Sequence, residues 1–292
     1  LGFSIYLCSL VNSCINQFVI IDDLKDYFLQ VYNRNMINEK SILKVLPTFG
    51  KSGPFDHCVI DNFFNKKIAF ELEKEFPNYD SEKWHNYNNA IEVKKLCNNW
   101  NVFPPTTYKV FNYLNSDAFL KTLRSVIFKN KKLYSDIGLN GGGWHIHKQG
   151  GKLNTHLDYS LHPKLGLQRK LNLIIYLNSN WKKEWGGNLG LWSNESDKRP
   201  GSLVKQIEPK FNRAILFDTT QNSWHGLPNP LKCPKNEFRK SIAVYYLCEP
   251  PKKVSKRGKA LFAPTDDQIN DKAVIELIKR RSNIKTASST YE

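Results

Sequence analysis

Acidic residues are in short supply in this chain. Its 292 residues include 27 Asp and Glu against 43 Lys and Arg, a formal net charge of +16. An excess of that size raises nucleic acid or an acidic surface as partners. The lysines, however, run along most of the chain beside many asparagines and form no patch, so nucleic acid is not the expected partner. Methionine occurs once, at Met36, and the sequence opens on Leu1. Residues 1–35 therefore read as upstream or truncated sequence, poorly tied to the fold. The six cysteines (Cys8, Cys14, Cys58, Cys97, Cys233 and Cys248) make no CxxC pair and are too sparse for a disulfide framework. They read as reduced, partly buried thiols, which points to the cytoplasm. Long apolar runs are missing too. The opening Leu1 to Ile21 is interrupted by Ser4, Ser9, Asn12, Ser13, Asn16 and Gln17, short of the roughly 20 residues a membrane span needs. No positive residue precedes Cys8, as a signal peptide would require, and no membrane partner is expected. No fixed-period repeat is present.

What the chain does have is core material. Hydrophobic residues make up 40%, with 17 Phe, 13 Tyr and 7 Trp. That excludes disorder, collagen and coiled coil. At roughly 150 residues per domain the length allows two domains, but β-barrels and sandwiches reach about 250 residues as one.

Four stretches differ in character: 1–54, 55–140, 141–250 and 251–292. Phe55–Phe64 is β-like and leads into an amphipathic helix in which Ile68, Leu72 and Phe76 recur four apart. Ala90–Asn98 reads as a second helix. A third starts at Pro105 or Thr106, and a fourth follows the N-cap signal Asn115-Ser116-Asp117 and runs to about Lys129. After Gly141-Gly142-Gly143, read as a flexible entry, seven short β-like runs follow: Gly143–His147, Leu153–Leu157, Lys170–Leu177, Asn188–Trp192, Leu203–Ile207, Arg213–Phe217 and Ser241–Leu247. They argue for an antiparallel sandwich or jelly-roll barrel. Pro250-Pro251 ends this region. Lys252–Lys259 reads as a basic solvated tail before a last helix near Asp271–Arg281.

His156-Leu157-Asp158 closes one of these strand patterns, and alternate residues of a strand share a face, so both side chains can reach one ion. His225, in Ser223-Trp224-His225-Gly226, is the best third ligand. Two imidazoles and a carboxylate leave open positions that suit non-haem Fe(II), while zinc accepts the same set. Fourteen residues on, Arg239 opens the apolar run Ser241–Tyr246. A guanidinium at the mouth of a barrel strand is costly to bury unless a carboxylate meets it, and its planar fork matches the distal end of a dicarboxylate. Tyr176 is placed to donate to the same carboxylate.

The order His156-x-Asp158, Tyr176, His225, Arg239-x-Ser241 resembles the Fe(II)- and 2-oxoglutarate-dependent dioxygenases of the prolyl 4-hydroxylase-like branch. The segments Leu171–Asn178, Glu184–Leu189, Phe211–Phe217 and Trp224–Gly226 extend the likeness, which covers roughly Phe55 to Leu247. The resemblance implies a mainly β fold with flanking helices around a double-stranded β-helix, the cupin-like jelly roll. It implies Fe(II) on His156, Asp158 and His225, with 2-oxoglutarate anchored by Arg239, Tyr176 and Ser241. It further implies O₂ as oxidant, succinate and CO₂ as products, hydroxylation of an unactivated C–H, and ascorbate as an associated reductant. A peptidyl prolyl residue is the leading substrate, with a small molecule, free amino acid or nucleic acid as the alternative. A non-catalytic binding module and a zinc hydrolase are the competing classes. In place of the tyrosine that many relatives carry before HxD, this chain has Trp144-His145-Ile146-His147. His147 is taken as a co-substrate contact and His145 as a further pocket candidate, not as a metal pair.

Overall fold

The computed structural model describes residues 36–127 and 132–291. In chain order come helix α1 (Glu39–Val45), strand β1 (His57–Ile60), helix α2 (Lys66–Lys74), the hairpin β2 (His85–Asn88) and β3 (Glu92–Cys97), and helices α3 (Pro105–Leu114) and α4 (Asp117–Ile127). Next are β4 (Tyr134–Ser135), β5 (Gly143–His147), β6 (Lys152–Leu153), β7 (His156–Leu157), β8 (Gln168–Tyr176), β9 (Leu189–Ser196) and β10 (Arg199–Ile207). The last are β11 (Ala214–Asp218), β12 (His225–Gly226), β13 (Arg239–Cys248), β14 (Leu261–Phe262) and helix α5 (Lys272–Ser282). Among the described residues no helix is long and apolar enough to cross a membrane.

The strands form two antiparallel sheets. The larger runs β1-β11-β8-β13-β5-β3-β2, with β4 beside β13 and β6 beside β3; the smaller runs β10-β9-β12-β7-β14. This is the double-stranded β-helix arrangement with helices outside. Alternation along the central strands explains the layering. Leu171, Leu173 and Ile175 of β8 and Ile242, Val244 and Tyr246 of β13 pack under the helices with Phe111, Phe119 and Leu120. Each fully buried side chain of this kind contributes about 1.5–3 kcal/mol. The opposite faces turn toward the smaller sheet. Ile215 and Phe217 of β11 meet Leu189, Leu191 and Ile207 there, and Arg239, Ser241, Ala243 and Tyr245 of β13 line a cavity.

Several expectations change. Ala90–Asn98 is not a helix: Glu92–Cys97 is a strand, and Leu96 pairs with His145 of β5. Val93, Leu96 and Cys97 have helical spacing, but the Asn89 side chain accepts from the Ile91 and Glu92 amides at 3.0 Å each and turns the chain into a hairpin. Leu153–Leu157 is not one strand either. Lys152–Leu153 pairs with β3 in the larger sheet, whereas His156 pairs with His225 in the smaller. The chain therefore changes sheets at Asn154-Thr155. The stretch read as a solvated tail is only partly so. Lys252, Lys253 and Lys256 are exposed, but Arg257 is half-buried and Lys259 lines the cavity. The other helices and strands lie within a few residues of their expected places. Residues 1–35, and the expected end of α4 near Lys129, lie outside the described residues.

The glycine run is tightly packed. Gly143 has φ +93°, and a Cβ there would stand 2.1 Å from the Cys97 carbonyl oxygen. Only glycine lets β5 approach β3 this closely. Gly143→Ala is expected to cost about 2–5 kcal/mol through combined strain and overpacking. Urea unfolding at neutral pH measures it, and a loss below about 1 kcal/mol would contradict the account.

Candidate active site

Between the sheets lies a cavity of about 170 Å³. His156 on β7 and His225 on β12 face each other as a directly paired couple, their ring centroids 4.3 Å apart. Asp158 follows β7, its two oxygens 3.8 Å from His156 Nε2 and 4.0 Å from His225 Nε2. One donor atom from each of the three lies within 4.8 Å of the others. The rings are held from behind: His156 Nδ1 meets the Asn154 carbonyl at 3.0 Å and His225 Nδ1 the Ser223 carbonyl at 2.8 Å. With Nδ1–H donating to these carbonyls, each Nε2 presents its lone pair to the common point. Phe262 stacks on His156 at 4.9 Å and Phe217 meets His225 edge-on at 4.8 Å.

The electrostatics suit a divalent ion. Burial, reinforced by His225, holds His156 well below the ordinary imidazole value, and burial also lowers His225. Both are neutral donors at pH 7. Burial alone would raise Asp158, but nearby positive charge, Arg169 first, outweighs it and keeps the carboxyl below its usual range. Two neutral imidazoles and one anion, all buried, form a donor set for Fe(II) or another first-row ion.

Arg239 enters the same cavity from the larger sheet. It is 4% exposed, and no carboxylate among the described residues pairs with it. Its Nε donates to the Gly187 carbonyl at 2.8 Å. Gly187, at φ +78°, is required there because a Cβ would stand 2.9 Å from Arg239 Cδ. The Tyr176 ring lies 4.9 Å from the guanidinium carbon, and the buried Tyr176 hydroxyl, which faces Arg239, has no other partner among the described residues. Burial raises that phenol, partly offset by Arg239, so it remains a donor. Ser241 stands directly across from Tyr176 on one side and His145 on the other. His147 pairs with Arg239 across the sheet, is 2% exposed, and has both ring nitrogens unpartnered. Burial, then Arg239, holds it well below the imidazole value. His145 also lines the cavity, and burial pushes it down to about 3. An unpaired buried guanidinium costs several kcal/mol. Together with the unpartnered His147 nitrogens and the Tyr176 hydroxyl, it fits a bound dicarboxylate.

Other cavity residues have no counterpart among the sequence-derived candidates. Arg169 pairs with Asp158, and Asn172 Nδ2 reaches the other Asp158 oxygen at 3.4 Å. Lys94 and the C-terminal Lys259, Arg281 and Tyr291 form another part of the wall. Arg281 Nε meets the wholly buried Glu92 at 2.6 Å, and Lys94 reaches the second Glu92 oxygen at 3.2 Å. That cluster ties helix α5 to β3 across the cavity. Of the cavity's arginines and lysines, only Arg239 had a sequence signal, a charge opening an apolar strand. Glu92 and its partner Arg281 lie 189 residues apart in the chain.

The cavity thus brings a three-donor cluster and a buried guanidinium together. Residues 142–268 match the family model described as the 2OG-Fe(II) oxygenase superfamily. Within it the likeness is to prolyl hydroxylases. The mouse Prolyl 3-hydroxylase OGFOD1 is 23% identical over 215 residues, covering 68% of this chain and 34% of that protein. The Xenopus laevis protein of the same name is 25% identical over 201 residues, covering 63% and 38%. This chain thus spans about a third of the length of the curated relatives it matches. Among solved structures, a Pseudomonas putida prolyl-4-hydroxylase shares the fold at TM-score 0.51 and 14% identity, over 72% of this chain and 100% of that one.

Burial works to raise Glu92, but Lys94 and Arg281 outweigh it and its carboxyl lies below the ordinary value. A depressed carboxylate contributes stability that is complete above about pH 4.3 and is lost as pH falls through the folded value. Glu92→Gln is expected to cost about 3–5 kcal/mol at pH 7, because Arg281 is left buried and unpaired. The cost should shrink toward pH 3. Denaturant midpoints of both proteins across that range check it; a cost constant with pH would remove the ion pair from the explanation.

Proposed function

We propose that the chain is an Fe(II)- and 2-oxoglutarate-dependent dioxygenase that hydroxylates an unactivated C–H bond, with a peptidyl prolyl residue as substrate. The observation that carries this reading is the pairing, in one cavity, of a three-donor His156–Asp158–His225 cluster with a buried Arg239 that has no carboxylate partner. His156, Asp158 and His225 would hold Fe(II), and Arg239 the far carboxylate of 2-oxoglutarate. Bound iron with 2-oxoglutarate and O₂ supplies the oxidising chemistry: 2-oxoglutarate becomes succinate and CO₂, and one substrate C–H becomes C–OH.

The chain's own groups bind, orient and exclude water. The carbonyls of Asn154 and Ser223 keep the imidazole tautomers fixed. The Arg239 fork, with Tyr176 and Ser241 beside it, binds and orients the dicarboxylate, and His147 offers a neutral nitrogen to it. Phe217, Phe262 and Leu189 limit water around the metal donors. Residues 55–140 serve in this reading as entry strand and supporting elements of the same domain as 141–250. The peptidyl prolyl substrate rests on the names of the relatives. The thiols Cys58, Cys97 and Cys233, which make no disulfide among the described residues, support a reducing, cytoplasmic setting, and ascorbate is included as the reductant that keeps the iron ferrous.

His156→Ala and Asp158→Ala are each expected to abolish succinate release from 2-oxoglutarate. Release unchanged in either would remove that ligand. Anaerobic titration of the wild type with Fe(II) and 2-oxoglutarate should give a weak visible charge-transfer band, which a zinc site would not show.

Arg239→Ala is expected to raise the KM for 2-oxoglutarate about 10- to 100-fold, the equivalent of about 1.4–2.8 kcal/mol for a charge-assisted contact. Initial rates against 2-oxoglutarate concentration decide it, and an unchanged KM would take Arg239 out of the anchor role.

A further inference from the structure

We infer that Arg169 is a positioning residue of the metal site: its guanidinium fork orients the Asp158 carboxylate. The inference rests on reading His156, Asp158 and His225 as metal ligands. Arg169 is 2% exposed and is clamped between two aromatic faces, with its guanidinium carbon 3.4 Å from the ring centroids of both Tyr159 and Tyr245. Stacking on both sides fixes the plane of the fork. Within that plane Nη2 donates to the Asn140 carbonyl, and Nη1 stands 3.5 Å from Asp158 Oδ1.

The surrounding backbone is shaped to this group. Gly141, at φ +79°, passes so close that a Cβ would lie 3.3 Å from Arg169 Nη2. Arg257 Nε holds the Asp158 main-chain carbonyl at 3.0 Å, and Asn172 Nδ2 lies 3.4 Å from Asp158 Oδ2. The carboxylate thus has a donor beside each oxygen and a third on its backbone. At 3.5 Å the Arg169 contact is a loose ion pair, which leaves Oδ1 with lone-pair capacity for a cation. A residue that only filled this space would have no need of a buried charge.

The test is Mn(II) affinity, read by electron paramagnetic resonance, in the full chain as wild type, Arg169→Met, Arg169→Lys and Arg213→Met. Arg213 pairs with Asp61 at 2.6 Å, does not line the cavity, and controls for loss of a structural ion pair. Both Arg169 variants are expected to bind Mn(II) about 10- to 100-fold more weakly while circular dichroism reports a folded chain; Arg213→Met should bind as wild type. Arg169→Lys, which keeps stem and charge and is the variant less prone to misfold, should also lower kcat with the KM for 2-oxoglutarate unchanged. A folded Arg169→Lys or Arg169→Met whose Mn(II) affinity lies within twofold of wild type overturns the role of the fork. A wild-type chain that binds no Mn(II) sinks the metal reading itself, which is a separate outcome.

Discussion

Two-faced strands govern this molecule. Along the middle of β8, β11 and β13 alternate residues are apolar and covered by helices, so the residues between them, Asn172, Ser241 and Tyr245 among them, face the space between the sheets. Burial of the outer face supplies the stability that lets the inner face hold groups whose burial is unfavourable. Arg239 without a carboxylate among the described residues, the unpartnered ring nitrogens of His147 and the buried Tyr176 hydroxyl are tolerated because Phe111, Phe119, Trp144 and Tyr246 anchor the backbone behind them.

The same constraint shapes the electrostatics. Burial dominates each imidazole and holds it neutral, whereas Asp158 stays ionised because nearby positive charge, Arg169 first, outweighs burial. Neutral nitrogen and anionic oxygen donors then stand together with no further adjustment. The cation that balances Asp158 sits between two tyrosines, while Arg239 is left without a carboxylate counter-charge among the described residues.

Legibility in the sequence followed the range of the interaction. The HxD spacing, and the positions of Arg239 and Ser241 two apart on one strand, are local, and a period of two is enough to put each pair on one face. His225 could be named because it, too, follows a strand pattern. Arg169 shows where the rule breaks. Counting by twos along β8 puts it on the outer face with Leu171 and Leu173. The pairing of β13 with β8 slips between Tyr246 and Leu247, so Lys170 is an extra residue and Arg169 turns inward. Hairpin β2–β3 was misread for a related reason: its apolar spacing fits a helix, and the Asn89 turn together with pairing to β5 overrides it.

The amino-acid order by itself determined the alternation, the glycines at close approaches, and the types of group offered to the cavity, since these depend on neighbours a few residues away. Tertiary structure alone decided which groups meet. The change of sheet at Asn154-Thr155, the slip beside Arg169 and the return of Arg281 to Glu92 each depend on hydrogen bonds or charge pairing between segments far apart in sequence. Such contacts take their energy from geometry that exists only once both segments are in place.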